Sequence, residues 1–216
     1  MNVQELQAAI GAVPDGAFGP ASTSALLAHF SNKQARAVRD ADIAVYAAKL
    51  GCTADQVKAV AAVESSGSGF DKSGRPKILY ERHLFHRLTD GKYSPAPYSQ
   101  SAGGGYGEDS WHKLAMACAR DPDAAFAACS WGKFQVLGMH WSKLGYAGPF
   151  DLADSCVTSE AAHYDLLVRY VQTFGLTAAI RKISRDPEDC RDFAAGFNGP
   201  AYRKFNYHAR IAAAMA

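Results

Sequence analysis

The chain has 216 residues, of which 48% are apolar, and a formal net charge of +2. That length and apolar fraction supply one substantial core and a small additional unit, while the slight basic excess, without a Lys/Arg cluster, excludes the footprint of a nucleic-acid binder. No stretch approaches the ~20 consecutive apolar residues that cross a bilayer, so no membrane insertion is expected. Five scattered cysteines without CxxC spacing, Cys52, Cys118, Cys129, Cys156 and Cys190, fit buried free thiols rather than a disulfide framework or a zinc site.

In chain order, residues 1–35 read as a small helical hairpin. Val3, Leu6 and Ile10 share a helical face that Gly11 ends; Asp15-Gly16 turns, and Pro20 opens a second helix with Leu26, Leu27 and Phe30 as its apolar residues. Two short helices hardly build an independent core, so this hairpin is expected to dock on the rest of the chain or on a partner. Val3-Gln-Glu-Leu-Gln-Ala with Asp15-Gly-Ala-Phe-Gly-Pro20 resembles half of a small peptidoglycan-binding module; a structural N-terminal cap is the other reading. Met1-Asn-Val-Gln-Glu-Leu lacks the basic start and apolar run of a signal peptide.

Helices dominate from there. One spans Asp40 to Leu50 and stops at Gly51. Thr53 and Gln56 form a capping box that starts the next near Ala54. Residues 67–110 are rich in Gly, Pro and Ser and break the helical pattern, with one alternating stretch, Lys77 to Arg82, that reads as a strand. Further helices are expected over Trp111–Ala119, over Asp121–Cys129 with Asp121 as cap and Pro122 first, over Thr158–Phe174 with a core stripe of Tyr164, Leu167, Val168, Val171 and Phe174, and over Leu176–Ser184, Pro187–Ala195 and Tyr207 to the end. Trp131 reads as core. The expected fold is mainly α with a short β-hairpin region, preceded by the small helical hairpin.

Glu64 is the residue that points to chemistry. Val57, Val60 and Ala61 form the apolar face of the helix begun at Ala54, and Glu64 is the next position on that face. Partial burial and the negative end of the helix dipole both disfavour its ionised form, which suits a proton donor near neutral pH. An ordinary helix-end glutamate reaching solvent is the bland reading of the same pattern. Glu64-Ser-Ser-Gly is followed by Ser130-Trp-Gly-Lys-Phe-Gln-Val136 and by Phe197-Asn-Gly-Pro-Ala-Tyr202, a set and order that resembles goose-type lysozymes and soluble lytic transglycosylases. More closely, Glu64-Ser-Ser-Gly-Ser-Gly-Phe70, Pro76-Lys-Ile-Leu-Tyr-Glu-Arg-His83, Gly104-Gly-Tyr-Gly107 and Ser130-Trp-Gly132 resemble the N-acetylmuramidase domain of bacteriophage endolysins, over residues 38–216.

The resemblance implies a lysozyme-like catalytic domain at 38–216 that cuts the β-1,4 bond between N-acetylmuramic acid and N-acetylglucosamine of bacterial peptidoglycan, with no cofactor. Such cleavage needs a proton on the leaving oxygen and a group that manages positive charge at the anomeric carbon. Glu64 fits the first role; Glu81, seventeen residues on in Ile78-Leu-Tyr-Glu81, is the first candidate for the second, with a structural bridge to Arg82 or a nearby histidine as its alternative. Asp71 and Glu108 lie in polar segments and are weaker candidates. A glycan cleft calls for aromatics among amides and hydroxyls: Tyr80, Tyr106 and Tyr202 match the family's aromatic positions, Gln135 and Asn198 its amides, and Ser130 could bond substrate or a carboxylate. His83 and His86 lack the companions of a metal site, so none is expected, and Gly103–Gly107 is not a phosphate loop.

Two rival functions remain at this point: a lytic transglycosylase that forms 1,6-anhydro ends through the same Glu64, and a wall-binding or phage-structural protein without catalysis. The expected life of the protein is as a monomer in the host cytoplasm, reaching the wall after a separate protein permeabilises the membrane.

Overall fold

Side-chain caps and left-handed glycines set the helix limits in the computed structural model, which describes residues 1–64 and 67–215. Among the described residues the helices are α1 (Val3–Ala9), α2 (Pro20–His29), α3 (Asp40–Leu50), α4 (Ala54–Glu64), α5 (Arg82–Leu88), α6 (Ser110–Cys118), α7 (Pro122–Ala127), α8 (Pro149–Ser155), α9 (Glu160–Thr173), α10 (Thr177–Lys182), α11 (Arg191–Asn198) and α12 (Tyr207–Ala213). The strands β1 (Ile78–Tyr80), β2 (Cys129–Trp131) and β3 (Val136–Leu137) form one antiparallel sheet in that order. The fold is mainly α, with a small sheet. No described helix is long and apolar enough to cross a membrane.

The expected caps are present. Gly51 closes α3 at φ 64°, a left-handed conformation that costs glycine nothing. Thr53 Oγ1 accepts from Gln56 N at 3.2 Å and Gln56 Oε1 accepts from Thr53 N at 2.8 Å, the reciprocal box that starts α4. Asp121 Oδ1 accepts from Ala124 N at 2.9 Å, and Pro122 is the first residue of α7.

By contact, the chain divides into two units: residues 1–35 with 70–158, and residues 36–69 with 159–216. The first is built around Phe30, the residue after α2, which is fully buried with Trp111, Phe126, Trp131 and Phe150 at ring-centroid distances of 5.3 to 6.0 Å. The N-terminal hairpin thus contributes an aromatic side chain to a core it shares with α6, α7, α8 and β2. Trp131 is core as expected, and its Nε1 donates to Phe126 O at 3.1 Å. Gln7, 1% exposed, fixes the hairpin's turn: its Nε2 faces Asp15 Oδ1 and Ser22 Oγ at 2.8 and 3.0 Å, while its Oε1 accepts from Gly16 N at 2.8 Å. Asn32 gathers three distant segments of this unit, donating from Nδ2 to Val157 O and Thr158 O (3.0 and 3.1 Å) and from its backbone N to Gly74 O (2.8 Å).

In the sheet, Ser130 of β2 lies across from Leu79 of β1 and Leu137 of β3. Here the structure departs from expectation twice. Cys129, expected as the last residue of the preceding helix, instead opens strand β2, whose three side chains are all buried and whose backbone groups are satisfied between two neighbouring strands. The segment 82–88 is a helix, α5, that buries Leu84 and Phe85.

The second unit packs α3, α4, α9, α10, α11 and α12. Tyr46 stacks on Tyr164 at 5.0 Å, and Val57, Val60, Leu167, Val171, Ile180, Phe193 and Ile211 are fully buried. Glu160, 5% exposed in the first turn of α9, accepts from Val38 N at 3.0 Å and from Gly69 N at 2.9 Å. It therefore fixes the segments that enter α3 and leave α4. All five cysteines are free thiols, four of them buried; burial pushes the Cys156 thiol up to about 12 and raises those of Cys118 and Cys129 as well, so they behave as small apolar side chains.

Candidate active site

Glu64 is the last residue of α4, with Val57, Val60 and Ala61 of the same face buried beneath it. Its side chain is partly sheltered, and burial raises its pKa above the ordinary carboxylate value; the hydrogen bond from Asn198 and the charge of Arg210 act in the opposite direction. Asn198 ends α11, and its Nδ2 reaches both carboxylate oxygens, Oε1 at 3.0 Å and Oε2 at 3.1 Å. Gly199 at φ 71° follows at once, so the chain can turn away and leave the amide directed at Glu64. Arg210 of α12 donates from Nη2 to Val63 O at 3.1 Å, a carbonyl in the last turn of α4. A carboxyl in this setting holds its proton to higher pH than an exposed glutamate, yet has a donor in place for the anion once the proton has left. Ser65 and Ser66 of the same phrase lie outside the described residues.

Glu81 lies in the other unit. It follows β1 at the N-cap of α5, and its backbone N donates to Ala128 O at 3.0 Å. The side chain is 16% exposed; Oε2 accepts from Tyr106 Oη at 3.1 Å and lies 3.2 Å from His83 Nδ1. Glu81 thus stands at the end of a strand that pairs with β2, not within a hairpin. Its histidine neighbour is the partner that the structural reading named, so that alternative describes its resting contacts. Tyr106 is 55% exposed and presents most of its ring to solvent, while its hydroxyl pKa is raised, by loss of water around the oxygen first and by the Glu81 charge next. The glycine-rich loop that carries Tyr106 is tied down: Arg82 donates to Ala102 O and Gly103 O at 3.1 and 2.8 Å, and the buried Lys113 donates to Gly105 O at 2.6 Å.

Other residues expected to touch substrate sit differently. Tyr80 is fully buried and its hydroxyl donates to Tyr98 O at 2.9 Å; it offers no face to a glycan, a correction that follows from its position in the innermost register of β1. Ser130 is 7% exposed in the middle strand. Gln135, at φ 50°, turns its amide inward, donating from Nε2 to Gly132 O and Lys77 O at 2.8 and 3.2 Å, so it holds the β2–β3 turn. Tyr202 is 8% exposed, and its hydroxyl accepts from Arg203 Nε at 3.0 Å and Arg191 Nε at 3.4 Å; these guanidiniums, Arg203 first, hold it below the usual tyrosine range. Asp71 is engaged with Arg75, and Glu108 is 54% exposed beside Lys113. Arg210 and Lys113 escaped the sequence reading because no local pattern marks a cation whose partner lies elsewhere in the chain, and Arg82, read as a possible bridge to Glu81, instead holds Ala102 O and Gly103 O.

Residues 53–216 match the family model for N-acetylmuramidase. Over the whole chain, the solved structure of the Burkholderia AP3 phage endolysin is similar, with 31% sequence identity across 99% of this chain and 91% of that one and a TM-score of 0.74. Comparison with curated proteins finds no match.

Proposed function

The chain belongs to the N-acetylmuramidase family and is a peptidoglycan hydrolase of the muramidase type, and from that premise we propose that it cuts the β-1,4 bond between N-acetylmuramic acid and N-acetylglucosamine with Glu64 as general acid. The observation that carries this reading is a carboxyl at the end of a buried helical face, its proton retained by burial, with the Asn198 amide on both of its oxygens. In the first step Glu64 gives its proton to the glycosidic oxygen as the bond to the anomeric carbon breaks. The carboxylate left behind, costly in a sheltered setting, is met by a charge-assisted hydrogen bond from Asn198 and can take a proton from the attacking water.

Glu81 is assigned the second role, stabilising positive charge at the anomeric carbon or orienting the water, and Tyr106, whose ring is open to solvent, the role of a sugar-stacking aromatic. Tyr202, Gln135 and Ser130 are each assigned a supporting role within their own unit. Residues 1–35 are assigned as a peptidoglycan-binding-like hairpin before a catalytic region at 38–216. The protein acts as a monomeric endolysin, made in the host cytoplasm and reaching the wall once another protein has opened the membrane. Digestion of purified peptidoglycan with analysis of the new reducing ends tests the bond assignment: N-acetylmuramic acid at those ends agrees with it, whereas N-acetylglucosamine ends or 1,6-anhydro ends contradict it.

A further inference from the structure

From the C-terminal helix α12, Arg210 Nη2 reaches α4 with a 3.1 Å bond to Val63 O. The helix is anchored by Ile211 and Ala212, both buried, and the guanidinium lies over the Tyr207 ring, 5.3 Å from its centroid. This cation stands one residue from Glu64 at the end of a helix, where aligned backbone dipoles concentrate negative charge. Of the ionised groups on the elements around α4, Asp40 of α3 pairs with Lys58 of α4 itself at 2.9 Å, Asp42 with Arg39, Lys49 with Asp165 at 2.6 Å, Lys182 of α10 with Asp192 of α11 and Arg191 of α11 with Glu188, while Arg181 of α10 donates to Leu50 O and His208 of α12 packs its ring on Tyr202. What acts on the Glu64 carboxyl within this unit is Asn198 from α11 and Arg210 from α12.

We infer that Arg210 is a positioning residue for Glu64, which holds the last turn of α4 in place and opposes the negative charge formed there when the acid has given up its proton. This rests on the reading of Glu64 as the acid. Both functions belong to one side chain, but they separate by substitution. Glutamine at 210 keeps an amide donor for Val63 O and loses the charge; lysine keeps the charge.

The test follows the Glu64 carboxyl by carbon NMR titration and the pH profile of kcat/KM on purified peptidoglycan, in wild type, Arg210→Gln, Arg210→Lys and Glu64→Gln. In Arg210→Gln the Glu64 titration and the alkaline limb of activity should both move upward, by about 0.2 to 0.7 pH unit, the size expected of one charge at a helix end. Arg210→Lys should stay near wild type, and the displacement should shrink in 0.5 M salt, since an exposed charge is screened. An unmoved titration in folded Arg210→Gln, with Glu64→Gln inactive, overturns the inference and leaves Glu64 as the acid. Wild-type rates from Glu64→Gln overturn that reading and the inference with it.

Discussion

Replacing Asn198 with leucine removes both contacts to Glu64, at 3.0 and 3.1 Å, with little change of volume. The protonated carboxyl loses only a neutral hydrogen bond to its carbonyl oxygen, so it is penalised less than the anion. The ionised state loses a hydrogen bond to a charged group, worth about 1.5–3 kcal/mol. At 1.36 kcal/mol per tenfold in an equilibrium, that raises the carboxyl's pKa by about one to two pH units. The alkaline limb of kcat/KM on purified peptidoglycan should move up accordingly, with activity on the acid side of the limb changing much less. Thermal stability should follow the same linkage: Asn198→Leu should melt near wild type where Glu64 is protonated and fall behind as pH rises through the wild-type pKa of the folded chain, because only there does wild type benefit from the bond. If the limb stays in place and KM alone rises, Asn198 serves the substrate and not Glu64, and this part of the account fails.

Other expectations are as direct. Glu81→Gln retains an oxygen for Tyr106 and should lower kcat by at least about 10²-fold with the melting temperature unchanged; full activity with a lowered melting temperature would make Glu81 only the partner of His83 and Tyr106. Phe30→Ala should cost about 3–5 kcal/mol in urea unfolding, as for other buried aromatics, since Phe30 is fully enclosed among four aromatic rings; a cost below about 1 kcal/mol would show that the N-terminal hairpin is not part of that core. Because burial raises the pKa of Glu64 in the folded chain, its ionisation opposes folding, so the contribution of this group is present below the unfolded pKa and is lost as pH rises through the folded one. Glu64→Gln cannot ionise, and its melting temperature relative to wild type should therefore increase from about pH 4 to about pH 8; a constant difference would mean that Glu64 is not sheltered.

Much of the fold could be read where local chemistry decides it. The Thr53–Gln56 box, the Asp121-Pro122 start and the left-handed Gly51 each act within a few residues, so the limits of α3, α4 and the start of α7 were legible. Strands β2 and β3, three and two residues long, are too short for a period of two to register, and β2 is buried on both faces, so its first residue, Cys129, reads as the last of the helix before it. Helix α5 was hidden because its seven residues are flanked by Gly-, Pro- and Ser-rich sequence, and its anchors, Leu84 and Phe85, are adjacent rather than spaced by a turn. Within the site, Glu64 stood out because it completes an apolar stripe. Tyr80 and Tyr106 looked alike in sequence, yet one is buried at the end of β1 and the other open in the glycine-rich loop. Arg210 lies 147 residues from its partner Val63, and no periodicity connects them.

The central claim is that a wall-degrading activity depends on the proton of Glu64. The most direct test is the loss of turbidity of outer-membrane-permeabilised Gram-negative cells treated with wild type and Glu64→Gln side by side, with circular dichroism to establish that both are folded. The account predicts lysis by wild type and a rate lower by about 10²–10⁴-fold from Glu64→Gln. Equal lysis by the two folded proteins would contradict it and place the acid elsewhere.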